Sequence, residues 1–144
     1  MSNLNWLSRD MVEMIHQQSI EFSGGSHGLR DPGLLESALA RPRNLHAYGE
    51  NDIFQLAASY AEALSQNHPF VDGNKRVSFT SAGIFLIDNG YELLPSKGDE
   101  HADMIESLSQ SKTTRKEAAR YLQDSSRVIK REKSTEQDRS SKKE

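Results

Sequence analysis

The chain has 144 residues, of which 35% are hydrophobic and 7% aromatic, and it contains no cysteine. A chain of this length can bury one hydrophobic core, so we expect one domain. Without cysteine it forms neither disulfides nor thiolate metal sites, which leaves hard, oxygen-bound cations as candidate metals. No basic region followed by an apolar run opens the chain, and no stretch of about eighteen apolar residues occurs, so we expect a soluble, cytoplasmic protein without a membrane partner.

The formal net charge of −3 is unevenly spread along the chain. Residues 130–144 carry six Lys and Arg against four Asp and Glu, which leaves −5 for residues 1–129. An acidic body does not favour nucleic acid as a partner, because phosphate-backbone binding requires a basic face. Residues 130–144 also lack any apolar side chain. We therefore predict a domain at residues 1–129 followed by a disordered charged tail.

A first helix is predicted over residues 9–22, with Ser8 as its N-cap. One stripe of this helix carries, at helical spacing, Val12, Ile15, Ser19 and Phe22. Three glycines then break the helical pattern within residues 23–28, which we call the glycine loop. Asp31 and Pro32 indicate the start of a second helix, because Asp is a favoured N-cap and Pro a favoured first helical residue.

The second helix is expected to end at Pro42, since proline removes a backbone hydrogen bond inside a helix. Residues 42–51 have no helical period and predict a loop or a short hairpin. Asp52 and Gln55 resemble a capping box that opens a third, buried helix ending near Asn67.

Residues 77–88 are small and apolar enough to form a central helix. Residues 91–94 are predicted to be extended, and residues 99–110 and 114–122 predict two further helices. The polar residues 68–76 therefore lie between two apolar helices.

Residues 68–76, the motif segment, read His-Pro-Phe-Val-Asp-Gly-Asn-Lys-Arg. A helix that begins near Asn74 offers unpaired backbone N–H groups to an anion, and Gly73 lets the backbone approach it closely. Lys75 and Arg76 in the first turn of that helix are unfavourable by about 0.3–1 kcal/mol each unless something negative compensates. A bound phosphate is the obvious compensating group, so the segment predicts a phosphate site.

His68 and Asp72 add a base and a metal ligand to this site. Asp72 is a hard oxygen donor suited to Mg²⁺, which takes one or two carboxylates together with substrate phosphates. A histidine can accept the proton of a hydroxyl at neutral pH, a role that accelerates reactions about 100- to 10,000-fold. Pro69 should place His68 at a chain reversal, and Phe70 is assigned to the core as an apolar anchor. Together these residues indicate phosphoryl or nucleotidyl transfer.

Each of these residues taken singly is more often structural than functional. A His before Pro, an Asp-Gly pair and a Lys-Arg pair usually mark turns or solvated surface, and only their combination at a helix start favours chemistry. The other histidines have no metal-ligand spacing and are expected on the surface or in loops. They are His16, His27, His46 and His101.

The motif segment resembles the signature of the Fic/Doc family, His-Pro-Phe-x-(Asp or Glu)-Gly-Asn-(Gly or Lys)-Arg, and it meets every specified position. The resemblance extends over residues 10–122 and is nearest to the death-on-curing members. It implies an all-α fold, with a central helix-loop-helix around the motif and a small β-flap over the active site. A target protein could pair with that flap, which would correspond to residues 42–51.

For the site, the resemblance implies that His68 is the general base toward a Ser, Thr or Tyr hydroxyl of a target protein. Asp72 would bind Mg²⁺. The remaining motif residues would bind the phosphates of ATP, namely Gly73, Asn74, Lys75 and Arg76.

The group that is transferred depends on two positions of the motif segment. The resemblance implies a kinase of the death-on-curing type from Lys75, because that branch carries lysine there and offers the γ-phosphate. Gly73 and the complete His-Pro-Phe opening match the adenylylating branch, so protein adenylyltransferase is the alternative. A catalytically silent binding module is a second alternative, and the intact set of base and metal ligand argues against it.

The resemblance also implies a regulatory partner. Adenylylating members carry an inhibitory helix with the pattern (Ser or Thr)-x-x-x-Glu-(Gly or Asn), and the nearest match here, residues 46–51, begins with His46. Restraint of a toxic activity is therefore expected from a separate antitoxin. The resemblance implies the toxin half of a toxin-antitoxin pair, with a translation factor such as elongation factor Tu as the suggested target.

Overall fold

The computed structural model describes residues 3–130, and within them it contains six helices and one pair of short strands. The elements in chain order are α1 (Arg9–Ser23), α2 (Pro32–Ala47), α3 (Ile53–Asn67), α4 (Asn74–Asp88), β1 (Tyr91–Leu93), α5 (Glu100–Ser109), α6 (Arg115–Asp124) and β2 (Ser126–Val128). The expected all-α class with a small β element is confirmed. The predicted charged tail, apart from Lys130, lies outside the described residues.

Helix α3 forms the centre of the molecule and packs against α2, α4, α5 and α6. Its central residues are small or apolar and are buried on every side, with Leu56 and Tyr60 fully buried. A helix that is apolar around most of its circumference is stable only when other elements cover it on all sides. The Tyr60 ring packs at 5.0 Å between centroids against Phe85 of α4. Helices α3 and α4 thus form the central pair on either side of the motif segment.

The predicted helix starts are largely confirmed. The Ser8 hydroxyl accepts a hydrogen bond from Met11 N, and the Asp31 carboxylate accepts one from Leu34 N. The predicted capping box at α3 is wrong. The Asp52 carboxylate bonds Phe54 N, while the Gln55 side chain instead accepts from Arg115 Nε at 3.0 Å. A tertiary partner on α6 has therefore replaced the local one.

The predicted end of the second helix at Pro42 is also wrong, because α2 continues to Ala47. Proline in a helix interior costs about 3 kcal/mol, but tertiary context routinely overrides such propensities. Here Pro42 is fully buried, and Leu45 of the next turn packs against the core. The flap expected at residues 42–51 is therefore wrong in its placement. The short connection after Ala47 is too small to hold a hairpin.

The small β element lies later in the chain. β1 pairs antiparallel with β2, with Glu92 opposite Arg127 in the register, and Arg127 Nε lies 3.1 Å from a Glu92 carboxylate oxygen. β1 follows the C-terminal end of α4, the end opposite to Asn74. Over the part of the chain that the structure describes, no helix is both long and apolar enough to span a bilayer.

Candidate active site

His68 ends α3 with a left-handed backbone, φ 52° and ψ 55°. A non-glycine residue in this region stores about 1–3 kcal/mol of strain, so neighbouring contacts must hold it. Arg30 supplies them, since its Nε donates to the His68 carbonyl at 2.8 Å and its Nη2 to the Asn67 carbonyl at 3.2 Å. The predicted chain reversal at His68 is confirmed. The side chain is exposed and available to a substrate.

The backbone of the motif segment is tied to the chain that precedes α2. Arg30 N and Asp31 N both donate to the Pro69 carbonyl, at 2.7 and 2.9 Å, and Val71 N donates to the Gly28 carbonyl at 3.0 Å. Phe70 is 2% exposed and forms the anchor that its sequence position predicted. The loop that carries the candidate chemistry is therefore held by ordinary backbone pairing.

Gly73 begins α4 in a left-handed conformation, φ 79°, and no side chain caps the helix there. Across residues 3–130, the structure records no partner for the backbone N–H of Asn74, Lys75 or Arg76. The Asn74 side chain folds back, accepting from Phe70 N at 2.9 Å and donating to the Phe70 carbonyl at 3.0 Å. Three N–H groups at the positive end of the helix dipole are thus open to an anion, while the Asn74 side chain clamps the turn.

The Asp72 carboxylate is exposed and accepts two backbone hydrogen bonds. Oδ1 accepts from Gly73 N at 2.8 Å and Oδ2 from Ser26 N at 3.1 Å. These bonds, from Ser26 first and Gly73 second, lower the pKa of the Asp72 carboxyl, and the nearby Arg76 lowers it further. Hydrogen bonds to the charged form have this effect because they favour the carboxylate over the acid. Asp72 is therefore held as an anion.

The Asp72 carboxylate is suited to bind a cation that enters the site together with a nucleotide. Each carboxylate oxygen uses one acceptor position for a backbone amide, which leaves a lone pair on each. Within the described part of the chain, no three His, Asp or Glu side chains converge on one point. Mg²⁺ typically takes one or two carboxylates and completes its shell with water and substrate phosphates. The donor set thus suits Mg²⁺ bound together with a nucleotide.

Lys75 and Arg76 already have protein partners. Lys75 Nζ lies 2.8 Å from Glu106 Oε1 on α5, and both side chains are half exposed. Arg76 Nη2 donates to the Gly24 carbonyl at 3.0 Å, and Nη1 approaches the Ser19 carbonyl at 3.5 Å. The compensation that the sequence assigned to a phosphate is therefore provided in part by Glu106 and by two carbonyl groups.

The predicted site residues converge on one cavity of about 360 Å³. Its lining consists of His68, Val71, Asp72, Gly73, Asn74, Lys75 and Arg76. A larger apolar cavity of about 710 Å³ adjoins it and shares Lys75 and Arg76, but contains neither His68 nor Asp72. Phe22 lines this second cavity and is 94% exposed, so its predicted place on the buried stripe of α1 is wrong. The Phe22 ring instead faces solvent at the edge of this cavity.

Sequence reasoning missed several residues that contact the site. Among them are His16, Ser26, Arg30 and Glu106. The expectation of a surface or loop position for His16 is wrong, because it is 4% exposed. Its spacing of four residues from both Val12 and Ile20 could have placed it on the buried face of α1. No local signal marks Ser26, Arg30 or Glu106, because each of them contacts the motif segment from a distant part of the sequence.

An exposed base, a charged carboxylate and two cations lie around an open helix start on an all-α fold, the arrangement that the sequence predicted for a phosphate site. The Fic/DOC family model matches residues 6–86, more than half of the chain. The chain therefore belongs to the Fic/DOC family, as the motif segment predicted.

Two curated relatives are similar over much of the chain. "Protein kinase doc" of Escherichia phage P1 is 35% identical over 91 residues, which cover 62% of this chain and 72% of that protein. "Toxin Doc" of Mycolicibacterium smegmatis is 36% identical over 110 residues, which cover 74% of this chain and 80% of that protein.

Proposed function

We propose that this protein is a Doc-type toxin that transfers the γ-phosphate of ATP to a Ser or Thr hydroxyl of a target protein. The observation that carries the proposal is the convergence of His68, Asp72, Lys75 and Arg76 on one cavity at the open start of α4. Family membership and the names of the two relatives support a transferase. Lys75 favours the kinase reaction among the transfers that such a site allows.

Each residue has a separate task in this reaction. A ring nitrogen of His68 takes the proton of the target hydroxyl, whose oxygen forms a bond to the γ-phosphorus while the bond to the β-γ bridging oxygen breaks and ADP leaves. The backbone N–H groups of residues 74–76 and the guanidinium of Arg76 hold phosphate oxygens. Bound at Asp72, Mg²⁺ would neutralise phosphate charge. The exposed position of His68 allows a protein substrate to reach it.

Protein adenylyltransferase is the second candidate, and a specific observation favours it. Gly73 adopts φ 79°, and a Cβ added there would lie 3.1 Å from Arg76 Nη2 and 3.3 Å from Ile20 Cδ1. The structure thus uses the glycine that is typical of the adenylylating pattern. A third candidate, a silent binding module, leaves the base and the carboxylate without a task.

One experiment separates these candidates. The protein is incubated with a cell extract, and with purified elongation factor Tu, in the presence of Mg²⁺ and ATP labelled at either the α- or the γ-phosphate. Label from γ alone supports the kinase, label from α supports the adenylyltransferase, and no label from either contradicts both enzyme proposals. The control is His68→Asn, since asparagine tolerates the left-handed backbone better than most residues and should preserve the fold. This variant should lose about 100- to 10,000-fold in rate.

We further propose that a separate antitoxin restrains this activity and that the protein acts in the cytoplasm. The support is the relative named as a toxin and the absence, in residues 3–130, of a helix with the self-inhibitory pattern. Expression of the chain alone should arrest growth of a bacterial host, whereas His68→Asn should not. Growth at the wild-type rate with an active protein would contradict the toxin proposal and leave the transferase proposal standing.

A further inference from the structure

His16 connects α1 to the motif segment from behind the cavity. It lies on the buried face of α1 and is 4% exposed. Its Nε2 is 2.9 Å from the backbone carbonyl oxygen of Asp72, 56 positions along the chain. A carbonyl can only accept, so Nε2 carries the hydrogen and donates it. A buried histidine thus bonds the peptide of the candidate metal ligand.

The same ring also contacts the motif segment two residues earlier. The His16 imidazole stacks on the Phe70 ring with 4.0 Å between centroids and 8° between planes. Phe70 is itself 2% exposed and is held by the Asn74 side chain at both its N–H and its carbonyl. One side chain therefore fixes the residues on both sides of Val71.

The peptide that His16 bonds also orients the Asp72 carboxylate. A peptide unit is planar, so the Asp72 carbonyl and the Gly73 N–H move as one body. That N–H donates to Asp72 Oδ1 at 2.8 Å. The bond from His16 to the Asp72 carbonyl consequently fixes the direction of the Gly73 N–H. That N–H in turn orients the Asp72 carboxylate, which faces the cavity.

We propose that His16 is a positioning residue, which holds the Asp72–Gly73 peptide so that the Asp72 carboxylate faces Mg²⁺ and the N–H groups of α4 face phosphate. This inference rests on the proposed function. Packing alone does not require histidine here, since a phenylalanine of similar shape would stack on Phe70 without burying a polar ring. The hydrogen bond to Asp72 is the feature that a histidine supplies.

Three variants separate positioning from packing. His16→Phe keeps a stacked ring and removes the donor, and His16→Gln restores a donor near the Nε2 position without the ring. The matched control is His46→Phe. His46 Nδ1 donates to the Glu50 carbonyl at 2.9 Å, and its ring lies 5.5 Å from Trp6, so the control removes a similar bond remote from the motif segment.

The first measurement is γ-phosphate transfer as a function of Mg²⁺ concentration. His16→Phe should raise the Mg²⁺ concentration for half-maximal rate or lower the rate by about tenfold or more, as happens when a partner of a metal-binding group is removed. His16→Gln should recover a large part of that loss, and His46→Phe should match the wild type. If His16→Phe does not fold, the outcome rests on His16→Gln, whose complete loss of transfer in a folded protein would contradict the proposal.

The second measurement is amide hydrogen exchange, without ATP or Mg²⁺, at Gly73, whose N–H donates to Asp72 Oδ1 at 2.8 Å. Exchange there should be faster in His16→Phe and unchanged in His46→Phe. Since this readout needs no activity, an inactive wild type would overturn the proposed function and still leave His16 testable. If His16→Phe showed the same amide exchange and the same Mg²⁺ dependence as the wild type, the proposal would be overturned, and His16 would be a core residue without a positioning role.

Discussion

The Lys75 ammonium forms an ion pair with the Glu106 carboxylate, at 2.8 Å, that joins the first turn of α4 to α5. In the free protein the lysine that favours kinase chemistry is therefore occupied by an internal anion. Under the proposed function, an incoming phosphate would compete with Glu106 for this lysine, and the carboxylate would also repel the phosphate.

Glu106→Gln should consequently strengthen ATP binding. An exposed ion pair contributes about 0.2–1 kcal/mol, so the dissociation constant should fall by up to about fivefold. Isothermal titration calorimetry with Mg²⁺-ATP checks this. Glu92→Gln is the matched control, because it breaks the exposed Arg127 pair at the strands and should leave affinity unchanged. Weaker binding in Glu106→Gln would show that the glutamate orients Lys75 for the ligand.

Gly25→Ala tests the contact between the glycine loop and the site. A Cβ there would lie 2.8 Å from Asp72 Oδ2, at a φ of +120°. Gly49, with a φ of +115° and nothing within 4 Å of an added Cβ, is the matched control. Both alanine variants should lose about 1–3 kcal/mol in urea denaturation through backbone strain. Only Gly25→Ala should also weaken Mg²⁺-dependent transfer, and equal activity in the two variants would contradict this.

Tyr60→Phe tests a buried hydrogen bond between α3 and the start of the chain. The Tyr60 oxygen accepts from Leu7 N at 3.1 Å, and both residues are almost completely buried. Removing the oxygen leaves that N–H without a partner, so the free energy of unfolding should fall by about 1–3 kcal/mol. Tyr48→Phe alters a tyrosine that is 90% exposed and should change nothing. Urea denaturation of both variants decides the matter.

Asp72→Asn should show a pH-dependent effect on stability. The backbone bonds from Ser26 and Gly73 lower the pKa of Asp72 in the folded state, so the unfolded chain binds the proton more tightly. The stabilisation from the carboxylate is therefore present above the unfolded pKa of about 3.9 and is lost as pH falls through the lower folded pKa.

The measurement is urea denaturation of wild type and Asp72→Asn at a series of pH values. The difference in unfolding free energy should be constant between about pH 5 and 8 and should shrink below about pH 4. A difference that grows on acidification would mean that Asp72 is destabilising as an anion.

Much of the fold could be predicted because its signals are local. Ser8 and Asp31 cap the helices that follow them through bonds spanning three residues, and the break between α3 and α4 follows from Pro69 and Gly73. The site residues are equally local, since they occupy nine consecutive positions. Their roles in binding and catalysis remain predictions.

Three of the errors involve contacts that cross the fold. Pro42 stays inside α2 because the core around it outweighs the propensity of a single residue. His16 is buried because the motif segment packs on α1 from 56 residues away. Gln55 leaves its predicted local partner for Arg115. Such pairings depend on how helices are arranged in space, which no local pattern specifies.

The two carbonyl partners of Arg76 lower the conformational entropy that this side chain would lose on binding a ligand. A free arginine carries about 2 kcal/mol of rotamer entropy, which a ligand must otherwise remove on binding. Because the carbonyls of Gly24 and Ser19 already restrict the guanidinium, much of that entropy is lost during folding instead. Under the proposed function, a phosphate would bind a guanidinium that is already restricted and would replace its neutral acceptors with charged ones. The glycine loop would then contribute to affinity indirectly, through the side chain of Arg76 that it holds in place.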